Sequence, residues 1–121
     1  MKILVIDDDR TIKLLISRCL TKKGHEVFLA DDGEHGLAMA PQIAPDLILL
    51  DVMMPGISGL EVCAKLKQDK STKLIPIFML TGKSQQQNID EALSAGASNY
   101  ISKPFNPLQI AEVIDTKYNE L

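Results

Sequence analysis

The sequence predicts an α/β protein, a doubly wound three-layer (βα)5 fold around a parallel five-stranded sheet. Three observations carry this expectation. Short apolar runs of strand length alternate five times with stretches of helical pattern. The helix starts are marked by capping residues, and the first helix closes on a cationic turn and a glycine. Strands that alternate with helices call for right-handed crossovers, and so for parallel neighbours.

The elements follow in order. Lys-Ile-Leu-Val-Ile (2–6) reads as a strand that runs straight into Asp7, Asp8 and Asp9. Asp9 reads as the N-cap of helix one, whose apolar stripe is Ile12, Leu15, Ile16, Cys19 and Leu20 and whose end is Lys22-Lys23-Gly24. Glu26–Ala30 is the second strand. Helix two follows, and Pro41 is expected to interrupt or end it. The third strand, 46–50, delivers Asp51 and then a Val-Met-Met-Pro-Gly turn. Ser58 with Glu61 opens helix three. The fourth strand, Ile75–Leu80, leads into Thr81-Gly82. Ser84 with Gln87 opens helix four (Ser84–Ala95). The fifth strand, Asn99–Ser102, leads into Lys103-Pro104. Asn106, Pro107 at the first helical position and Gln109 start helix five (Pro107–Asn119).

At 121 residues the chain has room for one packed domain, spanning 1–121, and 45% hydrophobic against 24% charged residues fits a globular one. Net charge is −3, which argues against direct contact with nucleic acid or anionic lipid. No apolar run approaches the ~20 residues of a membrane span. The N-terminus lacks the pattern of a secretory signal, so the expected location is cytoplasmic. Cys19 and Cys63 are expected to be buried free thiols. His25 and His35 receive no role.

Ligands of parallel α/β sheets bind beyond the carboxyl ends of the strands. Here those ends carry Asp7, Asp8, Asp51, the Thr81 hydroxyl and the Lys103 ammonium. Three carboxylates against one ammonium leave the rim two negative charges in excess, which one Mg²⁺ would neutralise. A carboxylate, Mg²⁺, a lysine and a hydroxyl around one point are what phosphoryl transfer onto an aspartate needs: a nucleophile, charge neutralisation and donors to the phosphoryl oxygens. Taken singly, each residue has a plainer explanation. Asp51 could form a turn, Thr81 could end a strand, Lys103 could be a solvated cation, and Tyr100 could be a half-buried strand aromatic.

At these residues the chain resembles the receiver domain of bacterial two-component response regulators, of the chemotaxis-regulator kind. The matching pieces are Asp7-Asp8, Asp51 with Met54-Pro55-Gly56 and Gly59, Thr81-Gly82, Ala95-Gly96-Ala97 before Tyr100, and Lys103-Pro104-Phe105. They keep their order and spacing over essentially the whole chain. The resemblance implies a flavodoxin-like sheet of order 2-1-3-4-5, with Asp51 as phosphoacceptor. Mg²⁺ would be held by Asp8, Asp51 and the Met53 backbone carbonyl, with Asp7 on a metal-bound water. Lys103 would contact the phosphoryl group and would join Pro104 through a cis bond, and Thr81 and Tyr100 would be a switch pair. The implied partners are a sensor histidine kinase or phosphotransfer protein as donor, and a downstream protein on the face of helix four, strand five and helix five. Helix five has one lysine, Lys117, and no arginine, so the domain is expected to be a monomer or weak dimer without DNA contact. It would catalyse its own phosphorylation and slow dephosphorylation without being an enzyme in the turnover sense.

Three rivals compete. Asp-Asp-Asp-Arg-Thr (7–11) loosely fits the start of haloacid-dehalogenase-like phosphatases, with Asp7 as nucleophile and Asp9 as acid, but that leaves Asp51 unexplained. A flavodoxin-like cofactor binder would need a hydroxyl- and glycine-rich loop where this chain has three acids. A pseudo-receiver that never takes phosphate is disfavoured by the intact acid, hydroxyl and lysine set.

Overall fold

The computed structural model describes residues 1–82, 86–103, 105–106 and 108–121, with side chains described outside 86–89. Strands β1 (Lys2–Ile6), β2 (Glu26–Ala30), β3 (Leu47–Asp51), β4 (Ile77–Gly82) and β5 (Asn99–Lys103) alternate with helices α1 (Arg10–Lys22), α2 (Gly33–Ile43), α3 (Gly59–Gln68), α4 (Gln86–Ser94) and α5 (Ile110–Asn119). All neighbouring strands are parallel, in the order β2-β1-β3-β4-β5.

Alternate residues of each strand feed two separate cores. Leu4, Ile6, Ile48, Leu50, Ile77 and Met79 pack on one face with Val62, Cys63 and Leu66 of α3 and Ala40 of α2. Ile3, Val5, Leu47, Leu49, Phe78 and Leu80 pack on the other with Ile16 and Leu20 of α1 and Ile110, Ala111 and Ile114 of α5. A sheet covered on both faces has no polar side, which is why its central strands are continuous apolar runs. Burying both faces leaves the strand ends as the places where polar groups gather.

Several expectations are corrected. β4 begins at Ile77 rather than Ile75, because Pro76 has no N–H to give the ladder; its carbonyl instead accepts from Ile48 N at 3.0 Å. β3 includes Asp51, which pairs with Leu80. Pro41 does not end α2. The proline lies in the last turn and gives up the N–H that would reach the Leu37 carbonyl; the helix runs only two residues further and closes at Ala44, φ 51, whose N–H reaches Ala40 O at 2.9 Å. α5 starts at Ile110, three residues later than expected. Asn106 builds a turn there, its Oδ1 accepting from Leu108 N at 2.9 Å, and Gln109 at the N-cap makes no side-chain cap bond. The buried face of α1 is Lys13, Ile16 and Leu20, while Leu15 is 39% exposed. Cys63 is buried but Cys19 only half so, and both are free. The Ser84–Gln87 cap, Pro107 and the peptide bond to Pro104 lie outside the described residues.

Other expectations hold. Ser58 Oγ accepts from Glu61 N at 3.3 Å. Asp9 Oδ1 accepts from Ile12 N at 3.1 Å and caps α1. Asp8, next to it, is exposed. The two neighbours should therefore separate in urea denaturation. Asp9→Ala should cost about 1 kcal/mol through the lost cap, whereas Asp8→Ala should leave stability unchanged or raise it. An equal loss in both would contradict the division of roles.

Candidate functional site

The sheet brings the sequence-predicted groups to one rim. Asp7 directly follows β1, Asp51 ends β3, Thr81 is next to last in β4, and Lys103 ends β5. Asp7 is fully buried and Asp51 nearly so, at 0% and 5% exposure. Oxygens of Asp7, Asp8 and Asp51 all lie within 4.8 Å of one another. Lys103 Nζ stands 3.2 Å from Asp51 Oδ1 and 3.3 Å from Asp7 Oδ2. Asp7 Oδ1 accepts from Asp9 N at 2.9 Å, so both Asp7 oxygens are engaged. Asp51 Oδ1 also takes a longer contact from Met53 N, at 3.4 Å. Among the described residues both of these Asp51 contacts fall on Oδ1.

Local backbone geometry makes this possible. An added Cβ on Gly59, the first residue of α3, would sit 2.0 Å from the Asp51 carbonyl oxygen. Only glycine lets the helix start that close to the acidic strand end. Gly56, at φ +78, turns the chain between them.

Burial is the main reason the Asp51 carboxyl is pushed up to about 6; Asp7 adds to the shift, and Lys103 and the Met53 N–H oppose it. At Lys103, burial works against the ammonium, but Asp51 and Asp7 outweigh it and hold its pKa above the usual lysine value. One ammonium thus leaves the acids incompletely balanced. Three hard carboxylate donors within bridging distance, with negative charge unmet, fit a divalent cation. The Thr81 hydroxyl is buried and has no hydrogen-bond partner among the described residues. Such a group costs about 1–3 kcal/mol until it finds an acceptor. Tyr100 is half-buried and pairs in register with Met79, two residues before Thr81 and on the same face of the sheet.

Two features escaped the sequence reading. Lys13 is 3% exposed and pairs with Asp31, whose carboxyl it holds below the usual range. Its spacing with Ile16 and Leu20 was the available signal. Around Tyr100, Lys117 Nζ lies 5.6 Å from the ring centroid and 3.3 Å from Asn99 Oδ1; neither contact leaves a local pattern.

The raised Asp51 pKa has a consequence for stability. The unfolded carboxyl ionises near its ordinary value of 3.8, the folded one near 6. Between these the folded state binds more protons, so stability falls as pH rises through the window and stays lower above it. Asp51→Asn removes the penalty. Without divalent cations, its stability gain over the parent should grow between about pH 4 and pH 6.5 to on the order of 2 kcal/mol. A pH-independent difference in denaturation midpoints would contradict the electrostatic account.

Comparison with known proteins points the same way. The response regulator receiver domain family matches residues 3–115. The alkaline phosphatase synthesis transcriptional regulatory protein PhoP of Bacillus subtilis is 43% identical over 90% of this chain and 45% of its own length. The phosphate regulon transcriptional regulatory protein PhoB of Pseudomonas aeruginosa is 42% identical over 89% of this chain and 47% of its own. The chain thus spans about half the length of these relatives. The solved structure of the chemotaxis response regulator CheY4 of Vibrio cholerae superposes with a TM-score of 0.89 at 33% identity, covering 96% of this chain and 97% of that one. Sequence and sheet order agree on one assignment: the chain belongs to the response regulator receiver domain family of two-component signalling.

Proposed function

We propose that residues 1–121 form a single receiver domain that accepts a phosphoryl group on Asp51 from a phosphohistidine of a sensor histidine kinase or phosphotransfer protein. The observation that carries this is the state of Asp51. It is a buried carboxylate at a strand end, held by Lys103 through Oδ1, with Oδ2 outside those contacts. Oδ2 attacks phosphorus in line. The P–N bond to the donor imidazole breaks, its electron pair returns to the ring, and an acyl phosphate forms. Lys103, already beside Asp51, donates to a phosphoryl oxygen. The Thr81 hydroxyl, unpartnered among the described residues, gains an acceptor, a charge-assisted hydrogen bond that is stronger than a neutral one.

Receiver domains bind Mg²⁺ through an acidic pocket, and the acidic cluster of this chain is Asp7, Asp8 and Asp51. We assign the ion to Asp8, Asp51 and the Met53 carbonyl, with Asp7 acting through water. When bound, Mg²⁺ offsets charge on the phosphoryl oxygens. The geometry disfavours Asp7 as a phosphatase nucleophile, because its two oxygens are engaged by Asp9 N and Lys103, and Asp9 is occupied as a cap.

The acceptor is regenerated only by slow self-hydrolysis, so the domain acts as a switch rather than a turnover enzyme. The readout face is α4, β5 and α5, where Tyr100 can follow Thr81 inward. A net charge of −3 supports a protein partner there, with the domain a monomer or weak dimer and without DNA contact of its own. Among the described residues no helix is long and apolar enough to cross a membrane, which is compatible with the cytoplasmic location proposed here.

Intact mass after acetyl phosphate plus Mg²⁺ tests the acceptor. The parent should gain one phosphoryl group and Asp51→Asn none. Label that persists in the variant, or maps to Asp7, would remove the assignment. Asp8→Ala should weaken Mg²⁺ affinity by about tenfold or more in a metal titration, since even an outer-shell partner is worth about that much, and Asp9→Ala should leave it within about twofold, because Asp9 is occupied as the cap of α1. The reverse order would refute the ligand set.

A further inference from the structure

The phosphoryl chemistry uses nothing beyond the rim, yet Lys117 makes two contacts that bear on it. Tyr100 packs against the core on the α3 side of the sheet, whereas α5 packs its buried residues, Ile110, Ala111 and Ile114, on the opposite face. β5 is the edge strand. Lys117 of α5 therefore meets the Tyr100 ring around the free edge of the sheet, its Nζ 5.6 Å from the ring centroid. Asn99 Oδ1 closes the arrangement. It accepts from Tyr100 N at 2.8 Å and from Lys117 Nζ at 3.3 Å. The ring, its backbone and the ammonium are thus tied at one point. A concavity of about 390 Å³ beside them is lined by residues of β5, α5 and the connection between them, Tyr100 and Lys117 included.

We propose that Lys117 is a positioning residue for the switch: it holds the Tyr100 ring at the sheet edge by a cation–π contact and so sets the bias toward the unphosphorylated arrangement. The proposal rests on Thr81 and Tyr100 being the switch pair. Inward rotation of the ring separates it from the ammonium, so each phosphorylation event works against this contact. At a half-exposed site a cation–π contact shifts a two-state ratio by about two- to fivefold. Lys117 lies outside the acidic rim and has no part in phosphoryl transfer.

The test is NMR of the Tyr100 ring and the Thr81 amide, with and without beryllofluoride plus Mg²⁺. In the parent the two conditions define the free and loaded positions. Lys117→Met keeps the stem and removes the charge. Without beryllofluoride it should move both signals along the free-to-loaded line, by a two- to fivefold change in population ratio. Lys117→Arg should restore the parent positions, and acetyl phosphate labelling of Asp51 should persist in both variants. Loss of the ammonium alone would disturb the ring signal but not the Thr81 amide, so movement of the ring signal only overturns the latch. A fall in melting temperature with neither signal displaced does the same. If the parent's signals do not respond to beryllofluoride, the switch pair itself fails, and the latch with it.

Discussion

Confinement of three carboxylates to one end of a parallel sheet is the constraint on which the rest of the molecule depends. Like charges at this spacing repel, and burial of Asp7 and Asp51 removes the water that would screen them. Lys103 offsets part of this from the end of β5, across the sheet from β1 and β3. The residual imbalance is stored in a folded state that both apolar cores over-determine. On the proposed reading function follows from that storage, because a cation or a phosphoryl group with its metal would relieve a cost already present in the fold.

The same economy explains the chain around Asp51. The strand ends at the acid, the turn needs Gly56 in the left-handed region, and α3 can start against the strand's carbonyl only because residue 59 has no Cβ. Each of these holds Asp51 at a fixed depth beside Lys103. The Thr81 hydroxyl, by contrast, has no partner among the described residues. On the proposed reading, a site with one satisfied lysine and one hydroxyl unpartnered among the described residues has two ways to be arranged, depending on whether an acceptor is present. Packed interfaces convert such a small difference into a discrete change. In the proposed switch Tyr100, on the same face of the sheet and at its free edge, would carry that change outward.

Much of this was legible in the sequence because its determinants are local. The strands are runs of four or five apolar residues, and the acids, hydroxyl and lysine sit directly at their ends, so topology alone gathers them. The Asp9 and Ser58 caps could be read for the same reason. What was not legible depends on tertiary partners. Lys13 occupies a buried stripe because Asp31 reaches it from the end of β2. Pro41 stays within α2, two residues before the helix ends at Ile43 and closes on the left-handed Ala44, a closure that no local sequence signal announces. The delayed start of α5 reflects an Asn106 turn that competes with the helix. The bond of Asn99 to Lys117 joins residues far apart in the chain.

Direct titration of the Asp51 side-chain carboxyl by ¹³C NMR, with and without Mg²⁺, tests the central claim that an unrelieved carboxylate cluster poises this site. Without metal the Asp51 signal should titrate near 6, and saturating Mg²⁺ should lower its midpoint by at least one pH unit as the cation favours the charged form. A midpoint at the ordinary aspartate value of about 4, unmoved by Mg²⁺, would contradict the account.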